Sequence, residues 1–159
     1  MTTNVLFLCT GNSARSILAE ALLGVLGRGR FKAYSAGSHP SGRVQPMAAD
    51  LATKLGYPPE KLRSKSWDEY AKPGAPRMDF IITVCDNAAG ETCPVWPGRP
   101  ALAHWGTPDP AITPDDTEAF KEAWLILRRR IELLLALPIE KLDRIARERG
   151  VLEIAEPAK

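Results

Sequence analysis

The residues best suited to chemistry lie near the start of the chain, where the segment Thr-Gly-Asn-Ser-Ala separates Cys9 from Arg15. A turn of this length between a strand and a helix can direct its backbone N–H groups at one tetrahedral oxyanion, which the positive end of the helix also attracts. Gly11 permits close approach and unusual dihedral angles, and Asn12 tolerates a left-handed conformation. The planar guanidinium of Arg15 can bind two oxygens of the same anion.

The sulfur of Cys9, at the base of this turn, is the predicted nucleophile. Amide donors and a helix N-terminus lower the pKa of a nearby thiol, and the thiolate is the reactive form. Ser16 can donate a further hydrogen bond to the sulfur. A buried cysteine beside an ordinary turn is the alternative, whereas nucleotide-binding loops fit worse because their glycine and lysine patterns are missing. The predicted oxyanion-binding residues are Thr10, Gly11, Asn12, Ser13, Ala14, Arg15 and Ser16.

The segments on either side of this turn predict the elements that position it. Thr113 is the predicted N-cap of the longest helix, with Pro114 at its first position. Strands that alternate with helices indicate an α/β fold whose mostly parallel sheet is covered on both faces. Strands are predicted at residues 5–8, 31–38, 79–85 and 101–106, and helices at residues 15–26, 47–55, 114–137 and 139–149.

Ligands of such sheets bind beyond the carboxyl ends of the strands. The turn after Cys9, the region of Cys85 and the loop after residue 106 are therefore expected at one edge of the sheet.

The composition is that of one globular domain. The 159 residues are 45% hydrophobic and 25% charged, and the net charge of +2 gives no strong attraction to nucleic acid or to a membrane surface. The N-terminus lacks the features of a signal peptide and the apolar runs are too short to span a bilayer, so we expect a cytoplasmic protein. There, three cysteines are more often redox-active, metal-binding or simply buried than joined in a permanent disulfide. The run Arg128-Arg129-Arg130 is expected to be the solvated face of a helix.

The stretch VLFLCTGNSARSILAEAL, the later YSAGS and the pair Asp109-Pro110 together resemble the low-molecular-weight protein tyrosine phosphatase family, which includes arsenate reductases of the same fold. The resemblance is strongest over residues 3–137. It implies one domain over residues 1–159, a three-layer sandwich whose central four-stranded parallel sheet has helices on both faces. Residues 138–159 would be a C-terminal extension that is helical to about residue 149. The resemblance also implies that Cys9 attacks the central atom of the oxyanion, Arg15 binds its oxygens and Asp109 protonates the leaving oxygen.

Two further cysteines, Cys85 and Cys93, bear on which reaction of the family is expected. Thiols deliver two electrons by forming a disulfide, which a reduction needs and the hydrolysis of a phosphate ester does not. Thioredoxin-coupled arsenate reductases carry a cysteine pair in the region that corresponds to TVCDNAAGETCPVWPG, and their acid loop is similar to HWGTPDP. The resemblance therefore implies reduction of arsenate to arsenite through a Cys9–Cys85 disulfide that passes on to Cys85–Cys93.

The resemblance also implies which reductant and ions take part. The spacing of the cysteine pair is slightly longer than in the thioredoxin-coupled type, so either thioredoxin or glutathione with glutaredoxin is the expected electron donor, and no bound cofactor is implied. Phosphate and sulfate are expected to mimic arsenate. Some relatives bind potassium near the loop, and the corresponding residues here are Asn12, Glu20 and Ser35. Zinc is not expected, because the cysteine spacing is not that of a metal-binding knuckle.

Two other functions stay open at this stage. A phosphatase acting on tyrosyl or other small phosphates needs only Cys9, although Ala111 and Ile112 stand where tyrosine-specific members usually carry aromatic residues. A non-catalytic module that holds an oxyanion or senses thiols would use the same turn without turnover.

Overall fold

A computed structural model of the protein describes residues 2–27, 29–84, 100–107, 110, 117–139, 142 and 144–154. Within them the strands are β1 (Thr3–Cys9), β2 (Phe31–Gly37), β3 (Phe80–Thr83) and β4 (Ala101–His104). The helices are α1 (Arg15–Leu26), α2 (Pro46–Leu55), α3 (Asp68–Ala71), α4 (Thr117–Leu135) and α5 (Arg144–Ile154), and a 3-10 turn covers Pro59–Lys61. The predicted alternation of strands and helices is confirmed.

The four strands form one parallel sheet in the order β2-β1-β3-β4. The chain leaves β1 for β2 on one side and later enters β3 on the other side of β1. Such a reversal leaves a crevice at the carboxyl ends of the two central strands, and ligands of parallel sheets bind there. Cys9 is the last residue of β1 and therefore lies at this switch point. The predicted α/β class with a four-stranded parallel sheet is confirmed.

Alternate residues of β1 pack into two different cores, because successive side chains of a strand point to opposite faces. Val5 and Phe7 are fully buried in the larger core, to which α1 and α4 contribute. Leu6 and Leu8 are fully buried in the smaller core on the other face, where Tyr70 of α3 packs. Helices thus cover both faces of the sheet, as predicted. Among the described residues, the face with Leu6 and Leu8 is covered by the short helix α3.

The buried side chains of helix α4 recur every three or four residues on one face. The buried side chains of its inner face include Phe120, Leu127, Ile131 and Leu134. Its predicted N-cap, Thr113, and the proline that follows lie outside the described residues. Neither α4 nor any other helix in the described part of the chain combines the length and the apolar character needed to cross a membrane.

Helix α5 differs from the helix predicted at residues 139–149, since it begins at Arg144 and continues to Ile154. The difference has a tertiary cause. Val151 is fully buried, and its carbonyl oxygen accepts a hydrogen bond of 3.0 Å from the indole N–H of Trp105. Trp105 is itself fully buried and directly follows β4. This hydrogen bond holds the C-terminal helix against the segment after β4. It joins residues 46 positions apart, so the local sequence pattern does not predict it.

Gly37, the last residue of β2, lies against the backbone of the turn that follows Cys9. A Cβ atom built on Gly37 would lie 2.5 Å from the carbonyl oxygen of Thr10 and 2.9 Å from that of Cys9. Gly37 is not among the glycines with positive φ, so its backbone suits any residue. The position therefore requires the absence of a side chain, which lets the turn approach the sheet closely.

We expect Gly37→Ala to displace the turn and to lower the free energy of unfolding by about 1–3 kcal/mol, the usual cost of overpacking. Gly29→Ala is the control for destabilisation that arises away from the turn, because its φ of +81° strains an alanine while a built Cβ meets nothing within 4 Å. Two-dimensional NMR should show shifted amide resonances for residues 9–16 in the Gly37 variant and not in the control. Unchanged resonances in the Gly37 variant would show that the turn does not depend on this contact.

Candidate active site

The carbonyl groups of the turn between β1 and α1 are directed outwards. Those of Thr10, Gly11 and Ser13 accept hydrogen bonds of 2.8–3.0 Å from backbone N–H groups within the segment 39–45. In a trans peptide the N–H points opposite to the carbonyl, so the N–H groups that follow are turned away from that segment. The first-turn N–H groups of helix α1 point towards the same turn. The N-cap residue, Ala14, makes no side-chain hydrogen bond to them. This orientation of the main chain is compatible with the oxyanion site that the sequence predicts.

Asn12 fixes the shape of this turn. It is fully buried and adopts a φ of 45°, the left-handed conformation that its residue type tolerates. Its Oδ1 accepts a hydrogen bond of 2.9 Å from the backbone N–H of Lys65, and its Nδ2 donates one of 2.7 Å to the hydroxyl of Ser16. The predicted left-handed position is thus confirmed for Asn12. Gly11 has no positive φ, and a Cβ there would meet nothing closer than 3.6 Å.

The hydroxyl of Ser16 lies 2.9 Å from the sulfur of Cys9, and both residues are buried. The side-chain amide of Asn12 donates to the Ser16 oxygen, so the Ser16 hydrogen can be donated to the sulfur when Cys9 is ionised. A hydrogen bond donated to sulfur favours the thiolate over the thiol. Such a bond would favour the role of nucleophile that the sequence predicts for Cys9.

Arg15 lies at the start of α1 and reaches the segment after β4. Its Nη1 donates a hydrogen bond of 3.0 Å to the carbonyl oxygen of Thr107. Thr107 precedes the predicted acid, Asp109, in the segment HWGTPDP. The guanidinium therefore stands between the turn after Cys9 and the segment that leads to Asp109.

The run Arg128-Arg129-Arg130 is only partly the solvated face that the sequence predicts. Arg129 is exposed, and Arg128 forms an exposed ion pair within α4. The prediction is wrong for Arg130, whose Nη1 donates a hydrogen bond of 2.8 Å to the carbonyl oxygen of Gly106 and lies 3.4 Å from the hydroxyl of Thr107. Burial lowers the pKa of Arg130. Two arginines thus hold residues 106 and 107 from different helices.

The residues suggested as potassium ligands form a buried cluster that already contains a cation. Ser35 donates a hydrogen bond of 2.5 Å to Oε1 of Glu20, and the Tyr57 hydroxyl donates to Oε2. The ammonium of Lys65 lies 3.8 Å from Glu20 Oε1 and 3.4 Å from the Ser35 hydroxyl. Asn12 directs its Oδ1 to the Lys65 backbone instead. These residues do not fit a resident potassium ion, because Lys65 supplies the positive charge there.

The pKa values of this cluster follow from its burial. Loss of water lowers the pKa of Lys65, and the charge of Glu20 offsets part of that effect. Loss of water and the neighbouring Glu20 both raise the pKa of Tyr57, so its hydroxyl remains a hydrogen-bond donor. Within the described part of the chain, no group of three or more His, Cys, Asp or Glu side chains is arranged to hold a metal ion.

The described chain leads directly to the second predicted cysteine. Val84 is fully buried, and its backbone N–H donates a hydrogen bond of 2.8 Å to the carbonyl oxygen of Leu8. In the register of the sheet Leu8 is level with Thr83, and Val84 is the next residue along the chain. Three predicted catalytic residues lie outside the described residues: Cys85, Cys93 and Asp109.

Sequence reasoning missed Lys65 and Arg130. Lys65 lies between two serines in a polar segment and contacts Asn12 across 53 positions of the chain, so no local pattern points to it. The position of Arg130 in the helix could have indicated that its side chain is partly buried. Arg130 follows Leu127 by one helical turn and precedes Leu134 by another, beside the buried stripe of α4.

Known proteins are similar to this chain in sequence and in fold. The arsenate reductase of Halalkalibacterium halodurans is 34% identical over 125 residues, which are 79% of this chain and 84% of that protein. A solved arsenate reductase in the phosphate-binding state superimposes with a TM-score of 0.70 at 26% identity, covering 85% of this chain and 98% of that one. The arsenate reductase of Archaeoglobus fulgidus superimposes with a TM-score of 0.65 at 27% identity, covering 84% of this chain and 99% of that one.

The family model for low molecular weight phosphotyrosine protein phosphatases matches residues 4–148, nearly the whole chain. The matched region contains the turn after Cys9, Arg15 and the segment that leads to Asp109. The chain therefore belongs to the low molecular weight phosphotyrosine protein phosphatase family.

Proposed function

We propose that this protein reduces arsenate to arsenite. The observation that carries the proposal is the position of Cys9, whose sulfur lies 2.9 Å from the Ser16 hydroxyl at the switch point of the sheet. Arsenate is a tetrahedral oxyanion and suits a turn lined by N–H groups. The relatives named arsenate reductase, at 34% identity over most of both chains, support this substrate over an organic phosphate.

In the first step the Cys9 thiolate attacks arsenic and an As–O bond breaks. A departing oxygen needs a proton, and Asp109 in its carboxylic acid form is the proposed donor. Arg15 binds the equatorial oxygens in our proposal, where its planar fork neutralises their charge. The hydrogen bond between Arg15 and Thr107 supports the pairing of these roles, since it brings the acid segment to the turn. The product is a covalent Cys9–arsenate adduct.

In the second step the electrons pass from sulfur to arsenic. The Cys85 thiolate attacks the Cys9 sulfur, the S–As bond breaks, and its electron pair stays on arsenic, which leaves as arsenite. A Cys9–Cys85 disulfide remains. Cys93 then attacks Cys85, which releases the Cys9 thiolate and leaves a Cys85–Cys93 disulfide. The hydrogen bond from Val84 to Leu8 supports this route, because Val84, the residue before Cys85 in the sequence, lies beside the end of β1.

An external dithiol must then reduce the Cys85–Cys93 disulfide. Thioredoxin is the first candidate, and glutathione with glutaredoxin is the second. Such disulfides are reduced in the cytoplasm, so we propose that location for the protein. No bound cofactor takes part in this scheme.

Hydrolysis of small phosphate esters is a second candidate activity, because the family model is that of phosphatases. The same turn, Arg15 and Asp109 would serve it, with water attacking a phosphocysteine on Cys9. Residual phosphatase activity is compatible with the main proposal. The two reactions differ in their need for Cys85 and Cys93, since only the reduction of arsenate requires these thiols.

We expect Cys85→Ser to release no arsenite, because the Cys9 adduct then has no attacking thiol. Cys93→Ser is the matched control and should release about one arsenite per chain before it stops as a Cys9–Cys85 disulfide. Arsenite is quantified after a single turnover without added reductant. An aryl phosphate serves as the reporter of an intact turn and should still be cleaved by both variants. Arsenite release by Cys85→Ser at the wild-type rate would refute the relay.

We expect Arg130→Met to lower kcat for arsenate about tenfold, because residues 106 and 107 lose one of their two arginine contacts. The inhibition constant of inorganic phosphate should change by less than about twofold, since the turn after Cys9 is untouched. Arg129→Met is the control, because this neighbour is exposed on the same helix. Equal kcat values for the two variants would show that Arg130 does not position the acid segment.

A further inference from the structure

The carboxylate of Glu20 is buried beneath the turn after Cys9, where only 4% of the residue is exposed. Both of its oxygens accept hydrogen bonds from hydroxyl groups, one from Ser35 and one from Tyr57. Two hydroxyl donors suit an ionised carboxylate, which accepts at both oxygens. A buried carboxylate also needs a compensating positive charge, because burial without one is costly.

The side chain of Lys65 provides that charge. Its ammonium has three N–H donors, and three acceptors surround it. The carbonyl oxygen of Arg63 lies at 2.9 Å, the Ser35 hydroxyl at 3.4 Å and Glu20 Oε1 at 3.8 Å. The side chains of Lys65 and Glu20 are both 5% exposed, so this ion pair is little screened by water. A second cation beside Glu20 would be repelled by the ammonium.

The same residue is connected to the nucleophile through its backbone. The N–H of Lys65 donates to Asn12, Asn12 donates to Ser16, and the hydroxyl of Ser16 contacts the sulfur of Cys9. The side chain of Lys65 thus anchors the segment whose backbone orients Asn12. Lys65 therefore neutralises Glu20 with its side chain and supports, with its backbone, the hydrogen bonds that lead to Cys9.

We infer that Lys65 is a positioning residue whose ammonium serves as the built-in cation of the active-site turn and makes this protein independent of potassium. The inference concerns the turn itself and holds whether or not arsenate is the substrate. A cavity of about 420 Å³ opens onto this cluster and is lined by Glu20, Lys65 and Tyr57 among others. In a variant that lacks the ammonium, a monovalent cation can therefore reach Glu20 from solvent.

The test compares the melting temperatures of wild-type protein and Lys65→Met in potassium chloride and in choline chloride at equal ionic strength. Wild-type protein should melt at the same temperature in both salts. In choline, Lys65→Met should melt roughly 10 °C lower than wild type, because Glu20 is left as an unpaired buried charge. Potassium should restore about half of that loss. Lys72→Met, which removes an exposed charge, is the matched control and should resemble wild type.

A second readout follows the nucleophile and needs no arsenate, so it separates this inference from the proposed function. The rate of Cys9 alkylation by iodoacetamide should fall in Lys65→Met in choline and recover in potassium, a cation-specific rescue that a packing defect alone would not show. The inference is overturned if potassium stabilises the wild-type protein relative to choline, or if the folded Lys65 variant does not respond to potassium. If Lys65→Met does not fold, the melting temperatures of the wild-type protein in potassium chloride and choline chloride still test the inference.

Discussion

The side chain of Asn12 joins three segments of the chain that meet around Cys9. Its oxygen is held by the backbone of Lys65 and its nitrogen by the hydroxyl of Ser16, so neither the amide nor the serine can rotate without losing a buried hydrogen bond. The hydroxyl of Ser16 is thereby held 2.9 Å from the sulfur, to which it can donate its hydrogen when Cys9 is ionised. Loss of any one bond in this chain leaves a buried polar group unsatisfied, which costs about 1–3 kcal/mol. The geometry of the nucleophile therefore depends on contacts behind the turn as much as on the turn itself.

The fold places this chain of hydrogen bonds where two strands diverge. Cys9 ends β1, and Val84, which follows the neighbouring strand β3 and precedes Cys85 in the sequence, is hydrogen-bonded to Leu8 at the same edge of the sheet. Arg15 and Arg130 reach residues 106 and 107 from two helices, and that segment continues to Asp109. The same fold can support hydrolysis of a phosphate ester or reduction of arsenate. In our proposal, the thiols of Cys85 and Cys93 make the reduction possible. The proposed chemistry is thus an addition to an anion-binding site that the fold already provides.

The turn could be predicted from sequence because its determinants are local. Cys9, Asn12, Arg15 and Ser16 lie within eight positions between a buried strand and an amphipathic helix, and the structure brings Cys9, Asn12 and Ser16 into contact. Lys65 and the hydrogen bond between Trp105 and Val151 could not be predicted in this way, because they join residues about fifty positions apart whose neighbours show no periodic pattern. The suggested potassium ligands illustrate the same limit. Glu20 and Ser35 do meet, but the lysine that joins them comes from a segment with no motif.

The central claim is that Cys9 is held as a thiolate by the donors around it. The most direct measurement is the rate of Cys9 alkylation by iodoacetamide as a function of pH, followed by mass spectrometry of the Cys9 peptide in wild-type protein and in Ser16→Ala. An ordinary cysteine titrates near a pKa of about 8.5. The account predicts that wild-type Cys9 titrates well below that value and that Ser16→Ala raises the midpoint by about one pH unit, since one charge-assisted hydrogen bond is lost. A wild-type midpoint near that of an ordinary cysteine, unchanged in the variant, would contradict it.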